Sequence, residues 1–150
     1  MANFVGRHSA TLTVRAAPAA AAAAFADLDR QIACHPELAS AEKRDANTLA
    51  VRMKEMSHGP VRFAGAYTLR FTREGNVVKW RTEAGNVDVQ GSATFVSDPG
   101  GSRFAYTESV TLNLDVNAIL GRVLRPMVEA MMARGMKGFV ERMAAELDRA

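Results

Sequence analysis

VNAILGRVLRPMVEAMMARGMKGFVERMAAEL, residues 116–147, is the only long segment of this 150-residue chain whose apolar residues recur at helical spacing. Val116, Leu120 and Leu124 recur four apart, Ile119, Val123 and Met127 lie beside them, and Met131, Gly135, Phe139 and Met143 carry the pattern onward. At 1.5 Å per residue such a helix is about 48 Å long and can cross a small domain from end to end. On a straight wheel, however, the two halves disagree. The apolar side of the first half lies opposite Arg122, Arg125 and Glu129. In the second half Met132, Met136, Phe139, Val140, Met143 and Leu147 oppose Arg134, Lys137 and Glu141, roughly half a turn away. Pro126 lacks an N–H and its ring clashes with the preceding turn, so a break or kink there is expected to reset the phase and leave a broken helix lying on a sheet. The competing expectation keeps the apolar side of the first half facing a membrane, a partner or a mobile gate.

Upstream of this helix the pattern has period two. His8, Ala10, Leu12 and Val14 alternate with Ser9, Thr11 and Thr13, which predicts a half-buried strand that ends before Pro18. Residues 19–32 are alanine-rich and helical in pattern, and a short helix or turn follows through His35, Pro36 and Glu37. Leu49, Val51 and Met53 then oppose Thr48, Arg52 and Lys54; after a turn at 57–60, Val61, Phe63, Gly65, Tyr67, Leu69 and Phe71 read as one further strand. Val78, Trp80 and Thr82 follow, then Val87, Val89, Gly91, Ala93 and Phe95, then Phe104, Tyr106, Glu108, Val110, Leu112 and Leu114, each run separated from the next by a Gly- or Asn-containing turn. Consecutive hairpins imply an antiparallel sheet whose single apolar face the long helix is available to cover.

The length suits one domain over 1–150 with a single substantial core. The net charge of +3 is not concentrated in any run of Lys and Arg, which argues against nucleic-acid binding; the alternating basic residues between Arg52 and Arg81 read as the wet face of a sheet, with attraction to an anionic membrane surface left open. A lone cysteine, Cys34, excludes an internal disulfide and fits a reducing compartment. Arg7 and His8 stand where a secretory signal would be apolar, and the alanine run is too weakly apolar to span a bilayer, so a cytoplasmic protein is expected.

This order of elements resembles the START-like helix-grip superfamily, which implies an α+β fold: a curved antiparallel sheet of about six or seven strands wrapped around a long C-terminal helix, with two short helices after the first strand. Ile32 to Leu38 followed by Ser40 to Lys43 resembles the segment after the helix in CO dehydrogenase G-like proteins, with His35 and Glu37 replacing that family's apolar residue and Gly. Gly59, Pro60, Val61, Phe63 and Gly65 are similar to the same family's Gly-Pro turn and next strand, and Gly91 to a later strand glycine. Arg125, Pro126 and Met127 resemble the ends of polyketide cyclase/dehydrase-type members. The resemblance implies a cavity for a lipophilic ligand and, in CO dehydrogenase G-like members, association with a membrane or quinone in the service of a redox enzyme. It implies a packing role for Cys34.

The expected ligand-contacting set is Phe63, Tyr67, Trp80, Phe95, Phe104, Tyr106, Glu108, Met132, Met136 and Phe139, an apolar and aromatic lining with few polar groups. Glu108 is the most informative residue. Alternation places its carboxyl on the apolar face between Tyr106 and Val110, where burial would raise its pKa and suit it to proton transfer or to hydrogen bonding a ligand; a single bulge would turn it outward instead. His8, His35 and His58 are not spaced as metal ligands, and no motif for a metal or cofactor stands out. The leading expectation is a carrier of a quinone-like or lipid molecule, cytoplasmic or peripheral to the inner face of a membrane. The rivals are a cyclase- or hydrolase-type enzyme using Glu108 and a tyrosine, and an interaction or chaperone domain without a ligand.

Overall fold

The computed structural model describes residues 1–149. In chain order the elements are β1 (Ala2–Val14), α1 (Pro18–Ala26), α2 (Leu28–Ala33), β2 (Leu38–Asp45), β3 (Thr48–Met53), β4 (Met56–His58), β5 (Val61–Phe63), β6 (Ala66–Glu74), β7 (Val77–Gly85), β8 (Val87–Asp98), β9 (Gly101–Leu114) and α3 (Ala118–Leu147). Seven strands form one antiparallel sheet in the order β1-β9-β8-β7-β6-β3-β2, and β4 and β5 form a separate two-stranded hairpin. The apolar residues of each period-two run face one side, where α1, α2 and α3 cover them.

Two strand readings need correction. The run from Val61 to Phe71 is not one strand: it breaks at Ala64 and Gly65, leaving β5 in the hairpin while β6 pairs with β3 and β7. Gly65 sits in a tight place, since a Cβ there would lie 3.1 Å from both Met53 Cγ and Val87 Cγ2. The second correction adds β2, an edge strand whose Glu42, Lys43 and Arg44 are all exposed, so its sequence carries no alternation to read.

The long helix also differs from expectation. α3 runs unbroken through Pro126. Pro126 and Arg122 are both on the exposed side, so the carbonyl deprived of its donor by the proline is left to water. The phase conflict is resolved by exposure rather than by a break. Gly121, Leu124 and Val128 form the buried line of the first half and lead into Met136, Phe139, Val140, Met143 and Leu147. Ile119, Val123 and Met127 are left 77%, 70% and 42% exposed.

Asn117 starts α3 by accepting a hydrogen bond from the Leu120 amide at 2.8 Å. The helix then lies along the edge strand β1 and satisfies part of its open edge. Glu129 Oε2 accepts from the Val5 amide at 2.7 Å, and Arg125 Nη2 donates to the Asn3 carbonyl at 2.9 Å while its guanidinium lies over the Phe4 ring. Gly6 permits this approach, because a Cβ at that position would come within 2.5 Å of Met132 Cβ. Anchored against β1, the middle of the helix stands away from the opposite half of the sheet. No helix among the described residues is long and apolar enough to cross a membrane.

Candidate functional site

The space between α3 and that half of the sheet is a cavity of about 240 Å³. Its walls are Met53, Gly65, Tyr67, Val87, Glu108, Val110 and Leu112 from the sheet, Met56 and Phe63 from the β4–β5 hairpin, and Met131, Met132, Gly135, Met136 and Phe139 from α3. His35, Glu37 and Lys54 supply polar groups. Such a lining, mostly apolar with a few convergent polar atoms, is the usual composition of a small-molecule site.

Of the ten residues expected to contact a ligand, Phe63, Tyr67, Glu108, Met132, Met136 and Phe139 line this cavity, whereas Trp80, Phe95, Phe104 and Tyr106 lie behind it. The cause is Phe25 of α1, which is fully buried. Its ring centroid lies 5.3 Å from Trp80, 5.9 Å from Phe95, 5.6 Å from Phe104 and 6.3 Å from Phe139. One aromatic side chain thus fills that end of the concavity and confines the open space to the other. Sequence reasoning assigned no role to Phe25, nor to His35 or Met53 in the lining; that α1 would cover the aromatic end is a tertiary fact that no local pattern announces.

Glu108 does face inward. β9 pairs with both β1 and β8 without a register shift, so no bulge reverses it. Its Oε2 accepts a hydrogen bond from Trp80 Nε1 at 2.6 Å. Gly91 of β8 lies between the two in register, and a Cβ there would be 2.3 Å from Trp80 Cζ2, so the indole can lie across β8 only because that residue is glycine. Burial pushes the Glu108 carboxyl up to about 7, against the smaller opposing effects of the Trp80 and Tyr106 groups. The Tyr106 hydroxyl approaches the same carboxyl without forming a well-directed hydrogen bond and has no other partner, although it is buried. Burial, reinforced by the nearby Glu108 charge, drives the hydroxyls of Tyr67 and Tyr106 strongly upward, so both remain protonated at neutral pH. Tyr67 donates weakly to Met53 Sδ at 3.7 Å. Near neutrality the cavity therefore offers the Tyr67 hydroxyl and a carboxyl that can act as either acid or base, with the Tyr106 hydroxyl behind that carboxyl.

The remaining candidates separate. His8 is opposite Glu108 in register and 6.4 Å from the Tyr106 ring, whereas His58 lies at the end of the β4–β5 hairpin. Cys34 is buried and its thiol is pushed up by burial, the opposite of what an activated nucleophile requires. Among the described residues no cluster of three or more His, Cys, Asp or Glu is placed to hold a metal ion.

Sheet, hairpin, cavity and covering helix together define a START-like helix-grip protein. The chain belongs to the polyketide cyclase/dehydrase and lipid transport family, whose model matches residues 6–148. Solved structures share the fold at low sequence identity. A START superfamily protein from Mycobacterium smegmatis superposes with a TM-score of 0.67 at 12% identity, covering 95% of this chain and 97% of its own. The Zhui aromatase/cyclase of a Streptomyces species has a TM-score of 0.64 at 16% identity over 98% of this chain and 94% of its own. A Thermus thermophilus protein has a TM-score of 0.63 at 16% identity, with coverage of 95% and 96%. No curated protein matches the chain in sequence.

Proposed function

We propose that residues 1–150, read as one domain, bind a lipophilic small molecule, quinone-like or lipid, between the sheet and α3. The observation that carries this reading is the cavity itself: a predominantly apolar space of about 240 Å³ with one buried carboxyl on its wall, in a family that includes lipid transport. Phe63, Tyr67, Met132, Met136 and Phe139 would supply apolar contact, at about 25 cal/mol per Å² of buried area before the costs of binding, and Glu108 would orient a polar group. The methionines suit ligands of varied shape because their side chains are flexible and polarisable. An open cavity argues against the alternative of an interaction or chaperone domain without a ligand.

Contact with a membrane is part of the same proposal. Ile119, Val123, Met127, Met131 and Gly135 follow one another at four-residue spacing, so an apolar row leads along α3 from exposed surface to the cavity wall. Arg122 beside that row is exposed and suits anionic lipid headgroups. Service to a membrane-linked redox enzyme rests on the resemblance to CO dehydrogenase G-like proteins, and the quinone-like ligand is the choice that would go with it.

The second reading is an enzyme of cyclase or hydrolase type, favoured by the Glu108 pKa of about 7 and the protonated tyrosines beside it. Under that reading Glu108→Gln abolishes turnover while affinity survives; loss of affinity alone supports the carrier.

The test is native purification followed by denaturing extraction and mass spectrometry, with a heat-treated preparation as control. A stoichiometric lipid or isoprenoid quinone supports the carrier reading. Protein recovered empty, and failing to bind such molecules when they are added, contradicts it.

A further inference from the structure

His35 lines the cavity, and the protein sets the hydrogen-bonding polarity of its ring. Its Nδ1 lies 2.8 Å from the Gln31 carbonyl, and a carbonyl oxygen only accepts, so Nδ1 carries the proton. Gln31 is held in turn, since it is buried and its Nε2 donates to the Phe25 carbonyl at 2.7 Å. The imidazole is stacked on Phe139 with centroids 4.1 Å apart and planes 20° from parallel, which fixes the ring's orientation. Burial lowers the imidazole pKa, with Glu37 and Arg142 the charged groups acting on it, so the ring is neutral at neutral pH. A neutral imidazole protonated on Nδ1 presents a lone pair on Nε2. That ring lines the cavity.

We propose that His35 Nε2 is the cavity's built-in acceptor and selects lipophilic ligands that carry a hydroxyl group, taking the ligand O–H as its donor. The assignment rests on the binding reading above and narrows it to hydroxyl-bearing ligands, a lipid alcohol or a quinol, and away from the quinone itself, whose ring oxygens are ketones. An alcohol or phenol leaves neither partner unsatisfied, whereas an ether or ketone at the same point places an acceptor against the lone pair. Gln31, Phe139 and the α2–β2 connection hold the acceptor in place before any ligand arrives, so little is lost in ordering it.

Two measurements test this. In the first, 2-naphthol and 2-methoxynaphthalene are titrated at pH 7 into the wild-type chain and His35→Phe, which keeps an aromatic ring against Phe139. The wild type is expected to prefer the naphthol by about tenfold, and the substitution to close most of that gap. Equal binding of the two probes to the wild type, or an undiminished preference in His35→Phe, overturns the role of His35. Binding of neither probe to the wild type counts against the cavity reading itself and removes the assignment with it. The second measurement needs no substitution: ¹⁵N NMR of the wild type is expected to show a pyrrole-type Nδ1 and a pyridine-type Nε2 for His35, the latter shifting when naphthol is added. A proton on Nε2 overturns the proposal whatever the affinities are.

Discussion

Trp80 and Glu108 stand on strands that are not neighbours, yet the indole N–H donates to the carboxyl at 2.6 Å, across the strand that carries Gly91. Two strand spacings, roughly 10 Å, separate their backbones. The missing side chain at Gly91 is what lets the indole cover that span. A buried carboxyl is thereby oriented on a wall where it would otherwise have only apolar neighbours and a poorly directed tyrosine.

Gly91→Ala is expected to destabilise the fold by about 1–3 kcal/mol, because the added methyl overlaps the Trp80 ring and the surrounding core cannot easily yield. Urea unfolding monitored by tryptophan fluorescence reads both the stability and the displaced indole. Unchanged stability with an unchanged emission spectrum would mean that the ring does not lie over Gly91.

The carboxyl itself has a pH signature. Folding raises the Glu108 pKa from 4.5 to about 7, so the native chain holds a proton that the unfolded chain has already released in that interval. Stability from this group is fully present below about pH 4.5, falls as pH rises toward 7, and is level above. Glu108→Gln is neutral throughout. It is expected to match the wild type near pH 4 and to exceed it by about 3 kcal/mol at pH 8, an upper figure for a shift of this size. Thermal melts of the two chains across this range give the difference directly; a gap that does not widen between pH 4 and 8 contradicts a raised pKa.

Trp80→Phe removes the donor that favours the ionised carboxyl, so the Glu108 pKa is expected to climb further above its present value. A ¹³C carboxyl titration measures it. A downward shift would show that the hydrogen bond is not made to the ionised form.

Ile119→Asp with Val123→Asp tests the exposed part of α3. Both side chains are mostly in solvent, so global stability is expected to change by no more than about 0.5 kcal/mol, while sedimentation with vesicles containing anionic lipid should be lost. Retained vesicle association would remove the membrane contact from the account and leave the cavity untouched.

The fold was readable where burial has a period. In the strand from Phe104 to Leu114, Phe104, Tyr106, Leu112 and Leu114 are buried beside exposed Ala105, Thr107 and Asn113, and α3 is long enough for its stripe to stand out. What escaped reading depends on surroundings. Pro126 looks disruptive in the sequence but lies on the solvent side of α3, where its lost hydrogen bond is left to water. β2 has no pattern because it is an edge strand with charged residues on show. In the candidate site, alternation was enough to turn Glu108 inward, and its partner Trp80 was on the same face. Which aromatics face the open space and which form solid core was decided by Phe25, a residue from a different element. His35 was visible only as a departure from a resembling motif; its acceptor role follows from a contact with Gln31 and a stack on Phe139, more than a hundred residues away in sequence.

Gly135 offers the most direct test that the cavity is a binding site. It lines the cavity from the middle of α3, and a Cβ added there meets nothing within 4 Å. Gly135→Leu should therefore leave the helix as stable or more so, by up to about 1 kcal/mol from helix propensity, while filling space that a ligand would occupy. Titration of the wild type and this variant with 2-naphthol, each alongside a thermal melt, is the measurement. The account predicts affinity reduced at least tenfold with stability kept or raised; equal affinity in a stably folded variant would show that the ligand does not enter between the sheet and α3.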